Sequence, residues 1–218
     1  MLETLQNIDT ELFLALNSLR CGLIDHFVLA FSGRWIWVLM YAVIAWMLMR
    51  RYGWRRGLIF VLLTGLAVGC ADFICASVIR PYVQRLRPAN LENAISGMVS
   101  IVDGYRGGRY GFPSCHAANT ICLATLSALL MRKRSYTIFI FVWAVLQCYS
   151  RIYLGVHYPG DLLVGAAAGA LVAFVAYQAT AGIYARIHPD EPLIVPEREV
   201  SIYPLLVVAL AILILLMF

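Results

Sequence analysis

Two side chains near position 160 have the types and the spacing of an acid–base pair. His157 and Asp161 are four residues apart in the stretch SRIYLGVHYPGD, Ser150 to Asp161. If a helix begins near Tyr158, they share one helical face, and the carboxylate can accept the imidazole N–H. Such a carboxylate fixes the tautomer and raises the basicity of the other ring nitrogen, as in a catalytic triad. The pattern predicts a catalytic imidazole; a metal site that includes His116 and a purely structural hydrogen bond stay open as alternatives.

A second histidine follows a helix start in the stretch FPSCHAANT at 112–120. Pro113 and Ser114 precede a run of small and apolar residues, so Ser114 is the candidate N-cap of a helix. Free backbone N–H groups at a helix N-terminus bind anions readily. Helices that begin with serine are common, and it is His116, next to Cys115, that makes this helix start a candidate for chemistry.

Arginine is concentrated in the same parts of the chain. These segments contain more arginines than acidic residues. The arginines are Arg80, Arg85, Arg87, Arg106, Arg109 and Arg151, and the acidic residues are Glu92, Asp103 and Asp161. Planar, forked guanidinium donors suit the oxygens of a phosphate, so this excess predicts a bound anion. For Arg85, Arg106 and Arg109 the alternative is that they anchor the protein to lipid headgroups.

The composition is that of a membrane protein. Of 218 residues, 62% are hydrophobic and 13% are charged, and the mean hydropathy is +0.80, well outside the range of soluble domains. Glu3, Asp9 and Glu11 stand where a signal peptide would be basic, so no cleavable signal peptide is expected. The six cysteines have no framework spacing and are expected to be free thiols. The net charge of +5 comes from short arginine clusters, so no nucleic-acid partner is expected.

Hydrophobic periodicity predicts an all-α fold, a polytopic transmembrane helix bundle of about six spans with an N-terminal amphipathic helix. Residues 2–19 carry leucine and isoleucine at three- and four-residue steps, as in a helix that lies in the membrane interface or packs against the spans. The apolar segments are 35–49, 57–79, 114–131, 135–151, 159–183 and 203–218. The predicted parts are an interfacial segment at 1–34, a membrane core at 35–185, a cytoplasmic loop at 186–202 and a last span at 203–218.

Basic residues set the expected orientation of the bundle. Four arginines lie at 50–56, between the first two apolar segments, and three basic residues lie at 132–134, between the third and the fourth. The positive-inside rule places both clusters in the cytoplasm. The parity of the spans then sends residues 80–113 and 151–158 to the external face, where the histidines and most of the other arginines collect.

These clusters resemble the three-part signature of the type 2 phosphatidic acid phosphatase and vanadium haloperoxidase superfamily. That signature is a basic residue with Arg-Pro seven positions on, then Pro-Ser-Gly-His, then Ser-Arg-x5-His-x3-Asp. Order and spacing match at Arg80…Arg87-Pro88, Pro113-Ser114-Cys115-His116 and Ser150-Arg151…His157…Asp161. The resemblance extends over about residues 57–183. Two positions depart from the signature: the usual lysine is Arg80, and the usual glycine is Cys115.

The resemblance implies an integral membrane lipid phosphatase that forms a phosphohistidine and needs no metal or other cofactor. In this family's mechanism His157 is the nucleophile, Asp161 orients it, and His116 protonates the leaving oxygen. The residues implied to hold the phosphate oxygens are Arg80, Arg87, Ser114, Cys115 and Arg151.

The same resemblance limits the substrates. The family acts on phosphatidic acid, phosphatidylglycerol phosphate, undecaprenyl diphosphate and lipid A phosphates. The 32 residues between Arg80 and Pro113 leave little protein for a headgroup-specific cap, which favours a bacterial envelope lipid, lipid A phosphate or undecaprenyl diphosphate. The expected location is the bacterial inner membrane, with the site facing the periplasm. The alternatives are a non-catalytic lipid-binding or transport protein, which needs no oriented nucleophile, and a haloperoxidase, whose known members are soluble.

Overall fold

The computed structural model describes residues 2–33, 35–187 and 199–217. Within these ranges the fold is helical, as predicted, apart from one isolated bridge between Leu86 and Tyr110. The helices are α1 Leu2–Asn17, α2 Asp25–Phe31, α3 Val38–Phe73, α4 Arg80–Val83, α5 Cys115–Met131, α6 Arg134–Tyr153, α7 Pro159–Ile187 and α8 Tyr203–Leu215. A π-helical segment, Ile74–Ile79, joins α3 to α4. Most of the predicted cytoplasmic loop at 186–202 lies outside the described residues.

α3 consists of two helical arms that meet at Gly53. Gly53 has φ 74° and ψ 160°, a conformation that is essentially restricted to glycine. A Cβ atom at Gly57 would lie 2.3 Å from Met49 Cα, whereas residues eight apart in a straight helix are about 12 Å apart. The chain therefore folds back at Gly53. The two arms correspond to the predicted segments 35–49 and 57–79, with the four arginines at the turn.

The site-bearing helices α5 and α7 are in very close contact. A Cβ atom at Gly165 would lie 2.3 Å from Ser114 O, and one at Gly169 would lie 2.1 Å from Ala118 O. Glycine at these two positions lets the backbones approach, as at the small-residue contacts of membrane helices. The approach places the start of α5 beside the start of α7, where Ser114 N donates to Asp161 O at 3.0 Å.

Gly169→Ala is expected to lower the melting temperature of the purified protein by about 3–10 °C, because the added methyl group pushes α5 and α7 apart. The matched control is Gly182→Ala, further along α7, where an added Cβ atom has no neighbour within 4 Å. That variant should be as stable as the wild type or slightly more stable, because alanine favours a helix over glycine. Thermal unfolding in detergent, followed by tryptophan fluorescence, measures both. Equal melting temperatures for the two variants would contradict the close contact.

α1 packs across the loops that carry the predicted site. Phe13 is fully buried and meets the ring of Tyr158 edge-on, with 5.3 Å between the ring centroids. The Asn17 side chain donates to two carbonyl groups at the end of α6. On the outer face of α1 the exposed apolar residues are Leu5, Ile8 and Leu12. The helix thus packs against the rest of the protein, and its outer face keeps the apolar character of a helix in the membrane interface.

Three helices in the described ranges are long and apolar enough to cross a membrane: Trp35–Val83, Arg134–Tyr153 and Pro159–Arg186. The first of these contains the break at Gly53. A bent pair, Glu3–Asn17 with Gly22–Phe31, would add a fourth span if it is counted as one. Two further apolar helices, Cys115–Met131 and Tyr203–Leu215, are shorter. All six predicted apolar segments contain a helix, and the number that cross the membrane stays a prediction.

Candidate active site

The three sequence clusters meet at one end of the bundle. Their residues are Arg80 at the start of α4, Ser114 before α5, His157 in the turn between α6 and α7, and Asp161 in the first turn of α7. The α6–α7 turn depends on Gly155, which has φ 73° and whose Cβ atom would lie 2.7 Å from Val99 Cγ1. Both the backbone angle and the lack of space require glycine there, and this turn sets the direction in which His157 leaves α6.

His157 and Asp161 are adjacent and buried, with 2% and 0% of their surfaces exposed. Nδ1 of His157 lies 3.5 Å from Oδ2 of Asp161, at the outer limit of a hydrogen bond. Two other donors hold the carboxylate: the backbone N–H of Tyr158 at 3.0 Å from Oδ2, and Nη1 of Arg85 at 3.0 Å from Oδ1. The two side chains are therefore neighbours, but the predicted shared helical face is absent, because His157 precedes α7. At 3.5 Å Nδ1 has no hydrogen-bond partner among the described residues, and the carboxylate is fixed in place independently of the imidazole.

The other ring nitrogen of His157 faces an arginine. Nη1 of Arg87 lies 2.9 Å from Nε2. A guanidinium can only donate, so this geometry assigns Nε2 as the acceptor and places the ring proton on Nδ1, facing Asp161. Burial lowers the pKa of His157 well below 6.5, and the charges of Arg87, Arg151 and Arg80 lower it further. At neutral pH the ring is neutral with its lone pair on Nε2, which is the form that a nucleophile needs.

The three guanidinium groups that act on His157 have no carboxylate partner. No Asp or Glu oxygen lies within 4.0 Å of Arg80, Arg87 or Arg151 in the part of the chain that the structure describes. Burial lowers the pKa of Arg87 to about 10, and the charges of Arg151 and Arg80 contribute. Nε of Arg80 and Nε of Arg151 are buried without an acceptor among the described residues. Cationic groups packed in this way favour a bound anion with several acceptor oxygens, such as phosphate.

The two positions that depart from the family signature contact each other. Nη2 of Arg80 lies 2.8 Å from Sγ of Cys115 and 3.0 Å from the carbonyl oxygen of Pro113. Next to them, Ser114 is fully buried and caps α5 by accepting the N–H of Ala117 at 3.4 Å. Cys115 therefore keeps its backbone N–H at the helix N-terminus, while its side chain helps to place the Arg80 guanidinium.

His116 is oriented by a residue that the sequence did not single out. Nε2 of His116 lies 3.0 Å from Oε1 of Gln147. Because Nε2 of Gln147 donates to Phe31 O at 2.9 Å, its amide oxygen faces the imidazole, and Nε2 of His116 is the donor. Gln147 belongs to α6, 31 residues further along the chain. The only signal for it is a buried polar residue in an apolar helix, one turn before Ser150.

Arg151 also binds two residues that the sequence did not indicate. Nη1 donates to Ser32 Oγ at 2.5 Å, and Nη2 donates to the hydroxyl of Tyr105 at 3.2 Å. Burial raises the pKa of Tyr105, but the charge and the hydrogen bond of Arg151, together with the charge of Arg87, outweigh burial and lower it below 10. The phenol oxygen therefore acts as an acceptor that holds the guanidinium of Arg151 towards the site.

Arg85 belongs to the site as well. Its Nη1 bridges two carboxylates, Asp161 Oδ1 at 3.0 Å and Asp9 Oδ2 at 2.7 Å. The interpretation of Arg85 as a headgroup anchor is therefore wrong, because two carboxylates of the protein neutralise its charge. Arg106 and Arg109 bind partners within their own loop.

The metal-site alternative for His116, His157 and Asp161 has no geometric support. The Nε2 atoms of the two imidazoles face different partners, Gln147 and Arg87. Within the described ranges, no group of three His, Cys, Asp or Glu side chains is close enough to hold a metal ion.

The sequence model of the PAP2 superfamily matches residues 57–184, which contain all three motifs. The chain belongs to the PAP2 superfamily. It is 45% identical over 193 residues to a lipid A 4'-phosphatase of Bacteroides thetaiotaomicron, covering 88% of this chain and 86% of the relative. A lipid A 4'-phosphatase of Porphyromonas gingivalis is 35% identical over 85% of this chain and 77% of the relative.

A solved PAP2 structure has the same fold. The phosphatidylglycerolphosphate phosphatase of Bacillus subtilis superposes with a TM-score of 0.62 at 22% identity, over 83% of this chain and 88% of the other. By its family and its two relatives, this PAP2 protein is a membrane lipid phosphatase, a phosphoric ester hydrolase that acts on lipids. The predicted all-α transmembrane bundle and the predicted enzyme class are confirmed.

In this PAP2 phosphatase a cavity of about 840 Å³ extends from the site into the bundle. It lies between the two arms of α3, α5 and α6. At the site end it is lined by Tyr105, His116 and Arg151. Its apolar and aromatic wall residues include Trp37, Tyr41, Ile44, Leu48, Val61 and Trp143. A cavity of this size and lining suits the apolar part of a lipid ligand.

Proposed function

We propose that the protein removes the 4'-phosphate of lipid A at the periplasmic face of the inner membrane, through a phosphohistidine on His157. The observation that carries the mechanism is the buried, neutral imidazole whose Nε2 faces Arg87, amid three arginines without a carboxylate partner. The choice of lipid A rests on the names of the two relatives, which match this chain over most of its length.

The phosphate dianion is bound by Arg80, Arg87 and Arg151, and by the free N–H groups at the start of α5. Arg87 then donates to a phosphate oxygen instead of Nε2, which frees the lone pair of His157. Nε2 attacks phosphorus in line, the bond between phosphorus and the sugar oxygen breaks, and its electron pair leaves with that oxygen. Asp161, facing Nδ1–H, stabilises the positive charge that develops on the ring.

His116 supplies the proton for the leaving oxygen. Its Nε2–H is used by Gln147, so the transferable proton is that on Nδ1 of the imidazolium. The sugar hydroxyl leaves with this proton. Water then attacks the phosphohistidine, Nδ1 of His116 takes the proton of that water, and inorganic phosphate departs as His157 is restored. Because His116 lines the cavity, the leaving lipid lies on the cavity side.

The test is an assay of the purified protein with lipid A in detergent micelles. Release of inorganic phosphate and tandem mass spectrometry of the product should show loss of the 4'-phosphate, with activity in EDTA and inhibition by vanadate. Undecaprenyl diphosphate and phosphatidylglycerol phosphate serve as competing substrates at equal concentration. Faster release from either of these lipids than from lipid A would contradict the proposed substrate.

The orientation in the membrane is supported by the position of the basic clusters. The turn at Gly53 lies beside the end of α5, since the Tyr52 hydroxyl donates to Leu130 O at 2.5 Å. The arginines at 50–56 and the basic residues at 132–134 are therefore at one end of the bundle, and the site is at the other. The positive-inside rule places the basic end in the cytoplasm and the site on the periplasmic side.

A cysteine at Met98 is expected to react with a membrane-impermeant thiol reagent in spheroplasts, whereas one at Arg134 should react only after permeabilisation. Both positions are exposed, and they lie at opposite ends of the bundle. The two variants, Met98→Cys and Arg134→Cys, are made in a background without the exposed Cys21 and Cys70. Labelling in the reverse order would show an inverted topology and contradict the periplasmic site.

A further inference from the structure

An acid–amide pair lies in the wall of the cavity, close to the phosphate site. Nδ2 of Asn119 donates to Oδ1 of Asp72 at 2.8 Å, and both residues line the cavity. Asn119 follows Cys115 by four residues on α5, so it lies about 6 Å further along the helix axis. Asp72 is on the second arm of α3. A carboxylate within a membrane-spanning segment is costly and indicates a function.

Apart from the second N–H of the Asn119 amide, the groups of this pair that remain for a ligand are acceptors. Asp72 fixes the amide orientation, because the reverse would place the Asn119 oxygen against the carboxylate. Oδ1 of Asn119 is then buried without a donor among the described residues, a condition that costs free energy until a donor is bound. The carboxylate oxygens of Asp72 can also accept a hydrogen bond from a ligand. An otherwise largely apolar cavity thus presents acceptors one helical turn from the phosphate site.

We infer that Asp72 and Asn119 bind a hydroxyl or amide N–H of the substrate near its phosphate, and thereby select acylated amino-sugar phosphates over diacylglycerol phosphates. This inference rests on the proposed phosphatase function of the same site. Next to its phosphate, a diacylglycerol phosphate has only ester oxygens, which cannot donate. An acylated amino sugar has hydroxyl and amide donors there. Sites with buried polar groups discriminate strongly against a ligand that leaves those groups unpaired.

The test compares lipid A with dioleoyl phosphatidic acid in the same mixed micelles, for the wild type and for Asp72→Leu/Asn119→Leu. Replacing both partners with apolar groups of similar size preserves folding better than replacing one. In the double variant, kcat/KM for lipid A should fall at least about tenfold relative to kcat/KM for phosphatidic acid. If the wild type does not turn over phosphatidic acid, the Ki of phosphatidic acid as a competitor of lipid A is measured instead of kcat/KM. This Ki should be lower for the double variant than for the wild type.

The matched control is Thr64→Val. Thr64 lines the same cavity, but its hydroxyl already donates to Phe60 O within α3 at 2.7 Å. This variant should keep the wild-type ratio between the two substrates. Should the double variant fail to fold, Asp72→Asn keeps the size of the side chain while removing its charge, and should change the ratio in the same direction by a smaller factor.

The outcomes separate this inference from the proposed function. An unchanged ratio, or equal losses on both lipids, would overturn the inference and leave the pair as a structural tie between α3 and α5. A wild type that prefers phosphatidic acid would also overturn it. A wild type that releases phosphate from neither lipid would instead contradict the proposed function.

Discussion

His157→Ala is expected to reduce phosphate release from lipid A to below about one ten-thousandth of the wild-type rate, because the variant lacks the attacking atom. Folding should be retained, since Arg87 keeps its hydrogen bonds to Val156 O and Tyr110 O. Initial rates in detergent, with thermal unfolding measured in parallel, give both quantities. Activity within tenfold of the wild type would remove His157 from the role of nucleophile.

A second histidine variant separates the nucleophile from the general acid. With p-nitrophenyl phosphate, whose leaving group needs no proton, His116→Ala should still form the phosphohistidine and should hydrolyse it slowly, because His116 no longer activates water. Quenched samples should therefore contain acid-labile protein-bound phosphate in His116→Ala and none in His157→Ala. Bound phosphate in His157→Ala would assign the nucleophile to another residue.

The contact between Arg80 and Cys115 explains how two departures from the family signature coexist. In the signature, lysine and glycine stand at these positions. In this protein the forked guanidinium reaches Sγ of Cys115 at 2.8 Å and Pro113 O at 3.0 Å, contacts that hold it near the start of α5. The side chain added at Cys115 thus compensates for the different reach of arginine, and the positive charge and the backbone N–H groups remain available to phosphate.

The sequence predicted those parts of the site that depend on local spacing. These parts depend on residues that are close together in the sequence. They are the four-residue step from His157 to Asp161, the N-cap at Ser114 and the two apolar segments on either side of Gly53. For such features, side-chain type and helix period are sufficient to place neighbours. The same reasoning gave the all-α class, because a chain in lipid must satisfy its backbone polar groups within each segment.

The parts that the sequence did not predict are contacts between distant segments. Gln147 binds His116 from α6, Tyr105 binds Arg151 from the long loop, and Asp9 binds Arg85 from α1. No period or local spacing connects these pairs, because each depends on which helices pack side by side. Arg85 is an example: without the positions of Asp9 and Asp161, the sequence leaves open that it anchors the protein to lipid headgroups.

Asp161→Asn is expected to lower kcat by about 10³–10⁴-fold, with little change in KM. The amide keeps the size of the side chain but cannot neutralise the imidazolium that forms when Nε2 bonds to phosphorus. Its NH2 group must also face one of two donors, the Tyr158 N–H or Nη1 of Arg85. The arginines that we propose bind the phosphate are untouched, which is why KM should be retained.

Asp9→Asn is the matched control for Asp161→Asn. Asp9 and Asp161 both pair with Nη1 of Arg85, but only Asp161 lies next to the ring of His157, with 3.5 Å between Oδ2 and Nδ1. If the carboxylate acts through the imidazole, Asp9→Asn should keep kcat within about tenfold of the wild type, the scale of a weakened ion pair. Steady-state kinetics on lipid A measure both variants. Equal losses of kcat would instead assign the effect to Arg85 and to the packing of α1, and would remove Asp161 from direct support of the nucleophile.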